Sequence, residues 1–241
     1  MKIGLISDIH SNLEALSVVL DALKENNCTE IICCGDIVGY GANPNECIKL
    51  LRSCNLKIVL GNHDAGVLNK TPLYYFNEVA QKAILWTRKE LTRDSLEYLD
   101  LLFLVDHSYP FHIVHASPQA PGKWYYILSL PEAIHQFRFF EKPICVIGHT
   151  HIPLVVEELN NQYRIIEEDE FLIESGAHYL INVGSVGQPR DGDPRTTCCI
   201  YDTKKKLFKR MRLEYDIKSA AQKILEAGLP KVLSERLFYG R

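Results

Sequence analysis

The hydrophobic and polar positions of the first sixty residues form a repeating order of apolar runs and amphipathic stretches. Apolar runs at 2–7, 30–34 and 57–60 predict three strands. Between them, apolar side chains recur at helical spacing over 12–26 and 45–53, which predicts two helices. This order of elements indicates a parallel sheet with right-handed crossovers.

The remaining chain has a different pattern, with short apolar runs outnumbering helical stretches. Further strands are predicted at 103–107, 111–115, 143–147, 152–158, 162–167, 179–183, 197–202 and 206–213. Helices are predicted at 74–101 (broken near 92–94), 131–140, 217–227 and 231–238. Asn160-Asn161 and the region 202–206 predict hairpin turns. The pattern predicts an α/β fold, and with no linker or internal repeat we expect one domain over 1–241.

Composition narrows the class of protein. Of the 241 residues, 46% are hydrophobic and 24% charged, and the net charge is −3. These values predict a globular protein without a membrane span and without a stable nucleic-acid complex. Eight cysteines form no C-x-x-C pair, and the N-terminus resembles no signal peptide, so we expect buried free thiols and a cytoplasmic location. The pattern makes no prediction about oligomeric state.

Polar clusters follow five of the predicted strands. They are Ser7-Asp8-Ile9-His10, Gly35-Asp36, Gly61-Asn62-His63-Asp64, Val114-His115-Ala116 and Gly148-His149-Thr150-His151. In open α/β sheets the loops at the carboxyl ends of strands surround the ligand crevice. We therefore expect these clusters to meet at one place.

The clusters contain seven side chains that commonly bind metals: Asp8, His10, Asp36, Asn62, His115, His149 and His151. One ion takes about four to six ligands, so seven suit two ions that share a carboxylate, for which Asp36 is the natural bridge. Imidazole and carboxylate ligands suit Mn, Fe, Zn, Co or Ni. We predict two divalent cations, with Mn preferred.

The five clusters, in this order, resemble the motifs of the calcineurin-like metallophosphoesterases. The loops 39–46 and 182–190 are similar to those of a compact prokaryotic branch described as phosphodiesterases or diadenosine-tetraphosphatase-like proteins. The resemblance implies a four-layer sandwich of two mixed β-sheets flanked by α-helices. It also implies hydrolysis of phosphate esters by a metal-bound hydroxide.

The resemblance also implies a role for each polar residue. Asp8, His10 and His151 would hold one ion, Asn62, His115 and His149 the other, and Asp36 would bridge them. His63 resembles the family's catalytic histidine that is not a metal ligand, and Asp64 the acid that orients it.

Four further residues are candidates for substrate binding: Asn12, Tyr40, Trp124 and Arg190. Each has a structural alternative. These are a helix N-cap for Asn12, a ring packed in a turn for Tyr40, core packing for Trp124 and a salt-bridged loop for Arg190. Four histidines lack a motif and are expected to be structural: His107, His112, His135 and His178.

The predicted substrate is a small phosphorylated molecule, with nucleotides and dinucleoside polyphosphates among the candidates. The protein-phosphatase members carry G-D-x-V-D-R-G, whose Arg contacts phosphate, whereas the loop at 35–41 has no Arg. That departure disfavours a phosphoprotein phosphatase without excluding it. A catalytically silent scaffold, as in a retromer subunit of similar fold, and a DNA-repair nuclease are also compatible with the resemblance.

Overall fold

A computed structural model describes residues 1–108 and 110–241. The strands in this part of the chain are β1 (Lys2–Ile6), β2 (Cys28–Cys33), β3 (Leu56–Ile58), β4 (Val105–Asp106), β5 (Phe111–Val114), β6 (Ile144–Ile147), β7 (Leu154–Leu159), β8 (Gln162–Ile165), β9 (Glu170–Leu172), β10 (His178–Asn182), β11 (Thr196–Asp202) and β12 (Leu207–Leu213). The helices are α1 (Leu13–Glu25), α2 (Pro44–Arg52), α3 (Asn62–Val67), α4 (Glu78–Glu90), α5 (Arg93–Asp100), α6 (Leu130–Gln136), α7 (Ile217–Glu226) and α8 (Lys231–Glu235).

The strands form two mixed sheets of six strands each. The first has the order β3-β2-β1-β11-β12-β9, in which β1, β2 and β3 are parallel and the others antiparallel. The second has the order β4-β5-β6-β10-β7-β8, in which β5, β6 and β10 are parallel. Each sheet therefore contributes several parallel strand ends to the same region.

Three apolar clusters hold four layers together. Alternate side chains of β1 and β5, such as Leu5 and Phe111, fill the space between the two sheets. The outer face of the first sheet packs on helices, for example through Leu16 of α1, and the outer face of the second packs on α6 through Ala133. Burial of these faces is the main force that stabilises the sandwich. The predicted four-layer architecture is confirmed.

The sequence prediction missed two short elements. The strand β9 has three residues, pairs only with β12, and carries two exposed side chains, so it shows no apolar run. The helix α3 has six residues, too few to display a helical period. The predicted strand at 103–107 is reduced to β4, and the predicted helix at 74–101 is divided between α4 and α5 after a 3₁₀ turn at Leu73–Tyr75. The Asn160-Asn161 turn connects β7 and β8 as expected, with both residues at positive φ.

The eight cysteines are free thiols, and most are buried. Among the described residues, no helix combines the length and apolar character that crossing a membrane requires.

Candidate active site

The carboxyl ends of parallel strands from both sheets meet at one place. Asp8 follows β1, Asp36 follows β2, His115 follows β5 and His149 follows β6, while Asn62 opens α3 after β3. The ligating atoms of Asp8, Asp36 and His115 all lie within 4.8 Å of one another. All seven candidate metal ligands are buried, none more than 8% exposed.

The backbone is unusual at this place. Five of the seven candidate ligands have φ between 48° and 69°, which is the left-handed region that side chains other than glycine rarely adopt: Asp8, His10, Asp36, His149 and His151. The main-chain N–H of Asp8 donates to Gly35 O, and that of His10 donates to Asp36 O, each at 3.0 Å. Such conformations cost free energy and cluster at functional sites, because only a well-packed surrounding holds them.

Two glycines allow the loops to approach closely. A Cβ atom on Gly61 would lie 2.1 Å from Asp36 Oδ1, and one on Gly148 would lie 1.9 Å from Ser7 Oγ and 2.4 Å from Asp8 Oδ2. Any side chain at these two positions would displace a candidate metal ligand.

Four of the histidines are oriented by main-chain carbonyl groups. One ring nitrogen of each lies near such an oxygen: His10 Nδ1 at 3.1 Å from Val38 O, His115 Nδ1 at 2.7 Å from Cys34 O, His151 Nδ1 at 2.5 Å from Gln188 O, and His149 Nε2 at 3.0 Å from Trp124 O. A carbonyl oxygen only accepts, so these nitrogens carry the proton. In a neutral ring the other nitrogen then has a free lone pair, which is the arrangement found in metal-binding histidines.

The first ligand group consists of Asp8, His10 and His151. His10 Nε2 and His151 Nε2 lie 3.1 Å apart, and both are acceptors, so neither donates to the other. Asp8 Oδ1 lies 3.3 Å from His151 Nε2 and 3.7 Å from His10 Nε2, and it has no hydrogen-bond donor although it is buried. Acceptors that face one another without a donor fit a cation between them.

The second ligand group consists of Asn62, His115 and His149. His115 Nε2 lies 2.9 Å from Asn62 Oδ1 and 3.1 Å from His149 Nδ1. Asp36 Oδ2 lies between the two groups, at 3.3 Å from His115 Nε2 and 3.6 Å from His10 Nε2. Asp36 therefore connects the two ligand groups into one candidate metal-binding cluster.

The electrostatics of the site favour binding of a cation. Burial lowers the pKa of His10 well below its usual value, and burial together with His115 lowers the pKa of His149 to about 3. Both rings are therefore neutral at pH 7, as metal ligands must be. Burial alone would lower the pKa of His115, but Asp36 and Asp8 raise it to about 9, so the two carboxylates attract positive charge to this point.

His63 lies beside His10 of the first ligand group and beside Asp36. Its ring centroid lies 4.9 Å from that of His10 and 4.3 Å from that of Tyr40, and its Nδ1 is buried without a hydrogen-bond partner. The backbone N–H of His63 donates to Asp36 Oδ1 at 2.8 Å, so the helix α3 positions both residues together.

Asp64 is the residue predicted to orient His63, and its described hydrogen bonds go to the main chain around α3. The two carboxylate oxygens of Asp64 accept the main-chain N–H groups of Val38 and Gly61, each at 3.1 Å. Asp64 therefore ties the start of α3 to the loop after β2. It supports His63 through the backbone and makes no hydrogen bond to its ring among the described contacts.

An aromatic cavity of about 320 Å³ opens beside the site. Its lining includes two of the substrate-binding candidates, Tyr40 and Trp124, together with Phe76 and Tyr126. Trp124 Nε1 donates to Thr71 Oγ1 at 3.0 Å, and the ring of Tyr126 stacks on that of His149 with centroids 4.1 Å apart. The cavity joins the second ligand group directly.

The remaining two substrate-binding candidates, Asn12 and Arg190, have different surroundings. Asn12 Oδ1 accepts the N–H of Ala15 at 3.1 Å and its Nδ2 donates to Gly187 O at 2.9 Å, so this side chain is the N-cap of α1, and a contact with substrate stays a prediction. Arg190 lies beside the site, with its guanidinium 5.7 Å from the centroid of the Tyr40 ring. The salt-bridged arginine of this loop is Arg195, which pairs with Asp193.

The sequence did not single out Gln188 and Arg236 as individual site residues. His151 Nδ1 donates to the main-chain carbonyl of Gln188, and Arg236 Nη1 donates to Gln188 Oε1 at 3.2 Å. The family resemblance at 182–190 includes Gln188, but no sequence pattern connects Arg236 with that loop. The four histidines expected to be structural stay outside both ligand groups.

Comparison with known proteins agrees with this geometry. A model of the calcineurin-like phosphoesterase superfamily domain matches residues 1–206. The uncharacterized protein MJ0912 of Methanocaldococcus jannaschii is 45% identical over 243 residues, which cover 99% of this chain and 98% of that protein. The crystal structure of a metallophosphoesterase from Sphaerobacter thermophilus has a TM-score of 0.88 at 38% identity, covering 100% and 99% of the two chains.

A more distant structure shares the fold. The hypothetical protein PH1004 from Pyrococcus horikoshii OT3 has a TM-score of 0.81 at 20% identity, covering 100% of this chain and 98% of that one. At the fold level it repeats the same two-sheet sandwich. Taken with the family match and the buried ligand cluster, these findings show that the chain belongs to the calcineurin-like phosphoesterase superfamily and is a hydrolase of phosphate esters.

Proposed function

We propose that the chain hydrolyses phosphate esters of small molecules with the help of two divalent cations. The observation that carries this proposal is the pair of ligand groups, each with lone pairs directed at one point and with Asp36 Oδ2 between them. Asp8, His10 and His151 would hold one cation, and Asn62, His115 and His149 the other. Mn²⁺ is the ion we test first among Mn, Fe, Zn, Co and Ni, all of which accept imidazole and carboxylate ligands.

A pair of divalent cations in such sites lowers the pKa of a bound water and offsets charge that develops on phosphoryl oxygens. The chain's own residues provide the metal ligands and keep the histidines in the correct tautomer. Buried carboxylates and neutral imidazoles would hold the cations, and the carbonyl groups behind the rings keep each histidine in the tautomer that leaves its other nitrogen free to bind metal.

His63 is the proposed catalytic residue that does not bind metal. Its ring lies beside His10 and Asp36, and its buried Nδ1 has no hydrogen-bond partner among the described residues. We assign it the task of giving a proton or a hydrogen bond to the leaving oxygen, which carries negative charge once the ester bond breaks. Asp64 and Asp36 hold the turn of α3 that carries this ring.

The proposed substrate is a small phosphorylated molecule, with nucleotides as the leading class. The aromatic cavity supports this choice, because about 320 Å³ is the size of a small-ligand pocket and planar rings stack on aromatic side chains. A phosphoprotein substrate has less support, since the loop after Asp36 lacks an arginine. Diester and monoester substrates both fit this proposal.

Hydrolysis of bis-p-nitrophenyl phosphate tests the function. We expect turnover with added Mn²⁺, none in a chelator, and a loss of at least about 100-fold in Asp36→Asn, which removes the shared charge. Metal content is measured by elemental analysis of both proteins. Stoichiometric metal uptake without turnover of any phosphate ester would contradict the enzyme proposal and favour the scaffold.

His63→Ala tests the proposed role of His63. We expect a loss of about 10²–10⁴-fold with alkyl esters, which leave poorly, and a smaller loss with p-nitrophenyl esters, which need less help. The exposed His135 provides the matched control His135→Ala. Equal losses on good and poor leaving groups would contradict a role at the leaving oxygen.

A further inference from the structure

Two guanidinium groups converge outside the ligand groups. Arg190 Nη2 and Arg236 Nη1 donate to the same oxygen, Gln188 Oε1, at 2.9 Å and 3.2 Å. Among the described residues, neither arginine forms an ion pair with a carboxylate. The nearby arginines of the same surface differ, because Arg195 pairs with Asp193 and Arg212 with Asp191.

The pair lies at the edge of the candidate active site. The carbonyl oxygen of Gln188 accepts from His151 Nδ1, and the N–H of Arg190 donates to His151 O at 3.3 Å. The guanidinium of Arg190 faces the ring of Tyr40, which also lies against His10 and His63. Gln188 therefore connects both arginines to His151 of the first ligand group, through its side-chain Oε1 and its main-chain carbonyl oxygen.

Holding these charges together is unfavourable without an anion. Both Nε atoms are buried and have no hydrogen-bond acceptor. Burial and the charge of Arg190 both lower the pKa of Arg236. Like charges at a partly desolvated position repel strongly, and their partners, Gln188 Oε1 and the hydroxyl groups of Tyr40 and Tyr126 beside Arg190, are neutral and compensate them poorly.

The C-terminal segment holds Arg236 in this position. The N–H of Gly192 donates to Gly240 O at 2.9 Å, and Gly240 packs so closely on Asp193 that a Cβ would lie 2.6 Å from its carbonyl carbon. The loop of Arg190 and the end of the chain are therefore joined a few residues from the arginine pair. Arg236 also lies beyond residues 1–206, which the superfamily domain matches.

We propose that Arg190 and Arg236 form a second anion subsite, which binds a phosphate group of the substrate other than the one that is hydrolysed. Two guanidinium groups offer planar, paired N–H donors that match phosphate oxygens. The subsite would select substrates with two phosphate groups over those with one. This inference rests on the proposed function for its substrate, but anion binding itself does not require hydrolysis.

A matched pair of substrates tests the selection. Thymidine 5′-p-nitrophenyl phosphate has one phosphate group, and its 3′-phosphorylated form has two. We expect the wild-type protein to have the lower KM for the doubly phosphorylated ester. Arg236→Gln should raise that KM about tenfold and change the KM of the singly phosphorylated ester by less than about twofold. The exposed Arg138 provides the control Arg138→Gln, which should leave both values unchanged.

Direct titration provides a readout that is independent of catalysis. We expect tripolyphosphate to bind the metal-free protein, with an affinity about tenfold lower in Arg236→Gln and equal to wild type in Arg138→Gln. Thermal unfolding of each variant verifies that it is folded. Equal binding by Arg236→Gln and wild type, or equal KM changes for both esters, would overturn the subsite. If no ester is hydrolysed, the proposed function fails and the titration still decides the inference.

Discussion

At the scale of single residues, hydrogen bonds to main-chain carbonyls decide what each histidine can do. The rings of His10, His115 and His151 donate through Nδ1, whereas His149 donates through Nε2. Position in the sequence does not distinguish these two tautomers. The neighbouring backbone selects them, and it thereby decides which nitrogen is free to bind a cation.

A different residue-scale effect concerns His112, which lies on β5 away from the ligand groups. Burial, together with His107 and Lys142, lowers its pKa from 6.5 to about 4, and its Nε2 is buried without a partner. The folded state therefore disfavours the protonated ring. The neutral His112 ring therefore contributes to the stability of the fold above pH 6.5, which is the pKa in the unfolded chain. This contribution is lost as the pH falls towards 4.

We predict that His112→Phe weakens the pH dependence of stability. The fall in the free energy of unfolding between pH 7 and pH 5 should be smaller than in wild type by about 1–2 kcal/mol, a value reduced for partial solvent exposure of the ring. Urea unfolding at the two pH values measures it. The exposed His135 gives the control His135→Phe, which should behave as wild type. If His112→Phe had the same pH dependence of stability as wild type, the lowered pKa of His112 in the folded state would be contradicted.

At the scale of elements, the start of α1 connects the loop after β1 to a distant loop. Asn12 caps the helix through Oδ1 and also holds Gly187 through Nδ2. Gly187 N in turn donates to Asp8 O at 2.9 Å. One side chain therefore fixes both a helix terminus and the loop that leads to Gln188.

We predict that Asn12→Ala is more destabilising than an ordinary cap substitution. Asn77, which caps α4 by accepting the N–H of Ala80, provides the comparison. Loss of a cap costs about 1 kcal/mol, so Asn77→Ala should cost that much and Asn12→Ala about 1 kcal/mol more. Denaturant unfolding of the metal-free proteins measures both. Equal costs would show that the bond to Gly187 contributes nothing to stability.

At the scale of the whole molecule, the site joins the two sheets. Asp8 and Asp36 follow strands of the first sheet, whereas His115 and His149 follow strands of the second. In both sheets these residues lie at the carboxyl ends of parallel strands. A cation bound by both sheets would hold the sandwich together at the edge where apolar packing ends.

We predict that Mn²⁺ stabilises the protein against heat. A ligand at 100 times its dissociation constant adds about 2.7 kcal/mol, which corresponds to a rise in Tm of about 5–10 °C for a chain of this size. Thermal unfolding with Mn²⁺ and with chelator measures the shift. Asp8→Asn should show a much smaller rise, because it removes the charge of the first ligand group. A Tm independent of Mn²⁺ would contradict metal binding at this site.

The sequence by itself determined most strands and helices and the identity of the clustered polar residues, and the four-layer arrangement followed from the family resemblance that those clusters carry. Apolar periodicity revealed most strands and helices, and the five polar clusters followed strands whose ends had to converge. These features are local, because a period and a motif lie within a few neighbouring residues.

Only the tertiary structure decided what depends on distant partners. It showed that Asp64 bonds to Val38 and Gly61, and that Asn12 is bound to Gly187. It also brought Arg236 to Gln188 from the far end of the chain. Hydrogen bonds between residues far apart in sequence follow from how the layers pack, and packing leaves no local pattern in the amino-acid order.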